Sequence, residues 1–146
     1  KIFPLDVGLL GAMTDVPASK LLVGDNCFTE FKGAFTECYV NEQLARIQMP
    51  TYYFSGNDTE IEIDFAVQTE YRVIPIEVKS EESVRSKSLK TYIDKNPSLK
   101  GLRVSMKNYI DQGWMENIGL YAIEGFLRKS QSQSENIKIK KSLHHM

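Results

Sequence analysis

The stretch "EIEIDFAVQTEYRVIPIEVKS", residues 60–80, decides the fold. Apolar side chains occupy every second position on both sides of a short polar break, a period typical of β-strands with one buried face. The pattern predicts an antiparallel hairpin. A shift of one residue in the strand pairing would bury the charged side chains, so the need to bury the apolar ones determines which face meets the core. The predicted core face consists of Ile61, Ile63, Phe65, Val67, Ile74, Ile76 and Val78.

The other face of this hairpin collects four carboxylates and one ammonium group. A two-residue turn at residues 69–70 would place Asp64 opposite Pro75 and make Glu77 its diagonal neighbour. Diagonal neighbours stand roughly 7–8 Å apart, so their side chains can share an ion. The full charged set is Glu60, Glu62, Asp64, Glu77 and Lys79.

Carboxylates packed together repel one another, which raises their pKa values or demands a cation. Their oxygens suit hard ions such as Mg²⁺. A lysine beside them could orient or deprotonate a metal-bound water, or hold a phosphate. These are the parts of metal-assisted phosphodiester hydrolysis. The plain alternative is a solvated cluster of ion pairs, since sheet faces that meet water are often charged.

The segment before the hairpin predicts a helix over residues 33–49, with Pro50 just past its end. Its apolar stripe includes Val40 and Leu44, and Glu37 falls on the edge of that stripe. A carboxylate at a position facing the core is costly unless it finds a partner. Glu37 therefore joins the candidate site.

The remaining pattern alternates strands and helices. It predicts strands at residues 51–54, 101–106 and 118–125, and a second helix over 82–97 that is stopped by Pro97. The order predicts an α/β or α+β fold around one sheet.

Length and composition bound the protein class. With 146 residues, 42% of them hydrophobic and 25% charged, the chain suits one globular domain. We expect this domain at residues 1–127 and a flexible tail at 128–146. The net charge of -1 argues against coating nucleic acid by bulk charge.

The compartment is expected to be cytoplasmic. No secretory or membrane-spanning segment is visible, and Cys27 and Cys38 lie in no metal-ligand spacing, so reduced thiols are expected. The chain opens at Lys1 directly in a strand-like run, which suggests a piece of a larger protein.

Several motifs resemble the PD-(D/E)XK nuclease superfamily, whose fold is restriction-endonuclease-like and whose relatives include archaeal Holliday-junction resolvases. These motifs are "GAFTECYVNEQL", "EIDF" and "IPIEVKS" followed by a basic helix. Over roughly residues 1–127 the chain is similar to the C-terminal domain of unknown function that many bacterial and archaeal AAA-type ATPases carry. The further segments that match are "KIFPLDVGLL", "RSKSLKTYI" and "GLYAIEGF".

The resemblance implies a mixed sheet flanked by helices, and a role for each motif residue. Asp64 and Glu77 would hold Mg²⁺ or Mn²⁺ with help from the Val78 carbonyl, Lys79 would serve the attacking water, and Glu37 would bind a metal water or a second ion. The chain departs from its relatives ahead of the acidic strand, where they usually carry an aromatic residue, an Arg and a Gly and this sequence has a longer "YYFSGNDTE".

The resemblance also implies partners. DNA would be the substrate, and an ATPase domain would precede this one in the full-length protein. The nucleotide-binding motif G-x-x-x-x-G-K-[ST] of such an ATPase does not occur in this sequence. Resolvase-like relatives work as dimers, so a homodimer is an open expectation. The alternative is a module that binds DNA or a partner without turnover.

Overall fold

The computed structural model describes residues 1–15, 29–56, 61–70, 72–80 and 85–131. A 3-10 turn at Leu120–Ala122 leads into a last helix, α4, over residues 123–131. The predicted α/β class is confirmed. The preceding elements are α1 (Val7–Thr14), α2 (Thr29–Arg46), β1 (Thr51–Ser55), β2 (Glu62–Gln68), β3 (Val73–Val78), α3 (Lys87–Lys95), β4 (Gly101–Ser105), β5 (Ile110–Asp111) and β6 (Met115–Gly119).

The strands form one mixed sheet in the order β1-β2-β3-β4-β6-β5. Strands β1, β2 and β3 are antiparallel neighbours, whereas β3, β4 and β6 run parallel and β5 closes the far edge antiparallel to β6. Parallel neighbours need a long crossover connection, and α3 provides it between β3 and β4. The predicted mixed sheet with helices is confirmed.

Apolar side chains are buried on both faces of the sheet. On one face, α2 and α4 contribute Val40, Leu44, Ile123 and Leu127 to a large core cluster. On the other face, Leu89 and Ile93 of α3 pack with Ile63 and Met115 in a smaller cluster. At Gly101 an added Cβ would lie 3.0 Å from the Leu89 side chain, so this glycine lets α3 approach β4 closely.

The hairpin of β2 and β3 forms with a register that differs from the predicted one. Ala66 pairs with Pro75, where the sequence predicted Asp64 at that position. The predicted two-residue turn is wrong, because the connection has four residues and the Thr69 amide donates to the Arg72 carbonyl at 2.9 Å. The difference is an even number of residues, so the register alone moves no side chain to the other face. All seven predicted core residues are buried.

A β-bulge interrupts the pairing of β1 with β2. Tyr53 of β1 lies opposite two residues of β2, Asp64 and Phe65. The extra residue breaks the alternation of side chains along β2. Accordingly, Phe65 belongs to the core cluster under α2, while Ile63 belongs to the cluster under α3. Asp64 is therefore displaced toward the side of the sheet on which α2 lies.

Two sequence predictions need correction at the end of the chain. The predicted strand at 118–125 is wrong, because β6 ends at Gly119 and the chain turns into α4. Ile123 and Leu127 are four residues apart and both buried, which is a helical spacing. Residues 128–131 of the predicted tail are helical, and the rest of it lies outside the described residues, as do Cys27 and Glu60.

Candidate functional site

Three carboxylates converge on the ammonium group of Lys1. Its Nζ lies 3.1 Å from Glu37 Oε2, 3.0 Å from Asp64 Oδ1 and 3.4 Å from Glu62 Oε1. These residues come from α2 and from β2, so the fold brings together two of the predicted site residues, Glu37 and Asp64. No local pattern points to Lys1, because its partners Glu37 and Asp64 are 36 and 63 residues away in the sequence.

The segment that carries Lys1 is held against the core by its neighbours. The Phe3 ring stacks on the ring of Phe65, with centroids 5.6 Å apart. The buried Cys38 thiol lies 4.0 Å from the Pro4 carbonyl oxygen. Burial is the main cause that raises the pKa of the Cys38 thiol, which keeps this side chain in its neutral form.

The charge of Lys1 is stabilised by its acidic partners. Partial burial by itself would lower the pKa of Lys1, but the hydrogen bonds and charges of Asp64 and Glu37 outweigh it. The net effect raises the pKa of this ammonium group above its usual range. Lys1 therefore acts as the counter-ion that three neighbouring carboxylates require.

Asp64 also binds the backbone of β3 beside the predicted Glu-x-Lys motif. Its second oxygen, Oδ2, accepts a hydrogen bond of 2.8 Å from the amide of Val78. The N–H and C=O groups of one strand residue point toward the same neighbouring strand. Because the Val78 amide points toward β2, the Val78 carbonyl also points toward β2, the strand that carries Asp64. Two of the predicted oxygen ligands, the Asp64 carboxylate and the Val78 carbonyl, thus lie at one point of the hairpin.

Glu77 and Lys79 form a second group. Their side chains make an ion pair of 2.9 Å, with Glu77 almost fully buried and Lys79 partly exposed. The other oxygen of Glu77, Oε2, is buried and has no hydrogen-bond partner among the described residues. A buried carboxylate oxygen without a donor is unfavourable, so this atom is suited to an additional cation or donor.

Glu77 begins a row of buried polar side chains across the parallel strands. Its register partner on β4 is Arg103, whose own partner on β6 is Asn117. Burial lowers the pKa of Arg103, and the negative charge of Glu77 partly offsets that effect. The sequence contained one signal of this row that we did not use, namely a charged residue inside the otherwise apolar strand "GLRVS".

Asn117 ties this row to the loop after β4. Its Oδ1 accepts hydrogen bonds of 2.8 Å from Arg103 Nε and from Ser105 Oγ. Its Nδ2 donates to the carbonyl oxygens of Lys107 and Asn108 at 3.2 and 2.8 Å. Because all four polar contacts of one buried amide are used, the row is rigidly placed.

The predicted site residues thus stand in two groups, one around Lys1 and one around Lys79. Within the described part of the chain, no three His, Cys, Asp or Glu side chains form a set that could hold a metal ion. Mg²⁺ binds oxygens at about 2.0–2.1 Å, so Glu37 and Asp64 would each have to move about 1 Å closer to the position of Lys1 Nζ. The oxygen donors fit a hard cation in chemistry, and Lys1 supplies the positive charge there.

Two cavities flank the segment that carries Lys1. The larger one, about 510 Å³, is bordered by Glu37 and Glu62. The smaller one, about 120 Å³, is bordered by Asp64 and by residues of β1 and α2. Both are open to solvent, so small solutes can reach the carboxylates around Lys1.

The helix after the hairpin, which the sequence marks as basic, exposes its positive charges. Lys87 and Lys90 of α3 and Arg85 just before it are exposed, while Leu89 and Ile93 are buried. Lys90 forms an ion pair with Asp94 one turn along the helix.

Comparison with known proteins gives a family. The sequence model of the domain of unknown function DUF4143 matches residues 32–123, which is more than half of the chain. The chain belongs to this family. The matched segment extends from α2 to the start of α4 and contains Glu37, Asp64, Glu77 and Lys79. No curated protein and no solved structure matches the chain.

Among the described residues, no helix combines the length and the apolar character that crossing a bilayer requires.

Proposed function

We propose that this DUF4143 domain is a PD-(D/E)XK-type nuclease domain that hydrolyses DNA phosphodiesters with Mg²⁺ or Mn²⁺. The observation that carries the proposal is the position of Asp64. One of its oxygens meets Glu37 at a shared cationic group, and the other binds the backbone inside the Glu77-x-Lys79 strand. A charged sheet face that merely meets water has no reason to draw a helix carboxylate to the same point.

The side chains would divide the work as follows. Asp64, the Val78 carbonyl and Glu77 would hold the ion, which supplies positive charge to polarise the phosphate. Glu37 would hold a metal-bound water or a second ion. Lys79, whose ammonium group is partly exposed beside Glu77, would position or deprotonate the attacking water. As the resemblance implies, the domain would be the C-terminal part of an AAA-type ATPase.

The test is cleavage of plasmid and branched DNA with Mg²⁺ by the purified domain and by site variants. We expect Asp64→Asn and Lys79→Met each to reduce the rate at least about a hundredfold, since general acid–base groups contribute roughly 10²–10⁴. Asp94→Asn is the matched control, because Asp94 is an exposed carboxylate on α3 outside the site. Circular dichroism shows whether each variant folds. Undiminished cleavage by both site variants would refute the proposal.

One observation favours a second candidate, a module that binds DNA or a partner without turnover. The ammonium group of Lys1 offsets part of the negative charge of the three carboxylates, which reduces the need for a metal ion. This candidate predicts that DNA binding persists in EDTA and that calorimetry detects no binding of Mg²⁺. Heat from Mg²⁺ binding that Asp64→Asn abolishes would exclude it.

A further inference from the structure

The smaller cavity contains an aromatic side chain that neither proposed function uses. Tyr53 of β1 borders this cavity together with Asp64 and Asn41 of α2. Tyr53 is 59% exposed, so its ring is accessible to a ligand. The cavity of about 120 Å³ is smaller than the roughly 300–1,000 Å³ of ordinary ligand pockets, so it suits one ring system.

The direction of the Tyr53 ring follows from its neighbour. The Phe54 ring packs against Tyr92 of α3, with centroids 5.4 Å apart. Successive side chains of a strand point to opposite faces, so Tyr53 points to the face on which α2 and Asp64 lie. Tyr52 also borders the cavity and has the same exposed fraction, 59%, but alternation directs its ring to the face of α3.

We propose that Tyr53 is a stacking platform for an unpaired base, and that the substrate is DNA with a single-stranded segment. An exposed aromatic ring binds a base through its π-face, and only an unpaired base can turn that face toward a protein ring. Asn41 lies at the same cavity and carries both a donor and an acceptor for a base edge. Asp64 borders the cavity as well, so a base on Tyr53 places its own phosphodiester beside the carboxylates. The choice of DNA rests on the proposed nuclease function.

The test is fluorescence anisotropy with a labelled single-stranded oligonucleotide and with a duplex of equal length. Binding is measured in EDTA and, separately, with calcium in place of magnesium, so that turnover is not needed for a signal. We expect Tyr53→Ala to weaken single-strand binding about tenfold, since stacking contributes roughly 1–3 kcal/mol per base. Tyr53→Phe should retain binding, because the ring stacks and the hydroxyl does not.

Tyr121→Ala is the control matched for residue type, because Tyr121 is an exposed tyrosine that borders neither cavity, and we expect it to bind as the unaltered protein does. Equal affinity of Tyr53→Ala and the unaltered protein would overturn the proposal, as would an equal loss in Tyr121→Ala or no single-strand binding in either buffer. Failure of the nuclease proposal is distinct: it would show as absent cleavage while the loss of binding in Tyr53→Ala remains.

Discussion

Lys1 defines the electrostatics of the candidate site at the scale of single residues. An exposed lysine paired with one carboxylate contributes little to stability, because water screens the pair. Here one partly buried ammonium group serves three acidic side chains, and their mutual repulsion is relieved only while it carries its proton. The site therefore depends on the charge of Lys1, and any divalent ion that enters must compete with it.

The raised pKa of Lys1 predicts a loss of stability at alkaline pH. Below pH 10.5, the pKa of Lys1 in the unfolded chain, the folded and unfolded states both hold the proton, so the contribution of Lys1 to stability is complete. As pH rises above 10.5 the unfolded state releases its proton first, and the contribution disappears as pH passes through the higher folded value. We expect Lys1→Met to lack this decline when urea unfolding is followed from pH 9 upward. Lys87→Met, which replaces an exposed lysine of α3, should lose stability with rising pH as the unaltered protein does. If the free energy of unfolding of Lys1→Met falls in parallel with that of the unaltered protein, Lys1 is not the group responsible.

At the scale of elements, the buried row across β3, β4 and β6 holds Glu77 in place. Asn117 fixes the Arg103 guanidinium, and Arg103 lies beside Glu77 in the neighbouring strand. A buried arginine that loses its acceptor leaves an uncompensated group in the core. The row thus links the stability of the sheet to the position of a predicted metal ligand.

Replacement of Asn117 tests this link. Asn117→Leu removes the acceptor of Arg103 and the donor of two loop carbonyls, so we expect the free energy of unfolding to fall by about 3 kcal/mol or more. Urea unfolding measures the change. Asn108→Ala is the control, because the Asn108 side chain is exposed and its carbonyl remains; its effect should stay within about 0.5 kcal/mol. A loss below about 1 kcal/mol in Asn117→Leu would show that the row is not a structural unit.

The same elements show what the sequence could predict. Strict alternation predicted the core face of β3 and of Phe65 and Val67 in β2, because apolar side chains on a regular strand have one way to be buried. It was wrong for Ile63, which lies in the cluster under α3. The bulge opposite Tyr53 was not predictable, since it depends on how β1 meets β2 and leaves no local signal. Alternation also misled at residues 118–125, where the spacing of Ile123 and Leu127 fitted a helix as well as a strand. β5 was missed because it has two residues, both exposed.

At the scale of the whole molecule, the candidate site exists only in the assembled fold. The first residue, the helix before the sheet and the second strand meet at one point, so no local segment can form it. The sequence predicted Glu37, Asp64, Glu77 and Lys79 from three motifs, whereas Lys1, Arg103 and Asn117 became visible only through contacts that span the chain. Their roles in catalysis, the DNA and ATPase partners, and a homodimer stay predictions.

The most direct measurement is a crystal of the domain soaked in Mn²⁺, with data collected for the anomalous signal of manganese. The account predicts one peak in coordination contact with Asp64 Oδ1 and the Val78 carbonyl, with Glu77 turned toward it and the Lys1 ammonium group displaced. A map with no peak at the hairpin, and with Lys1 still bound to Glu37 and Asp64 at saturating Mn²⁺, would contradict it.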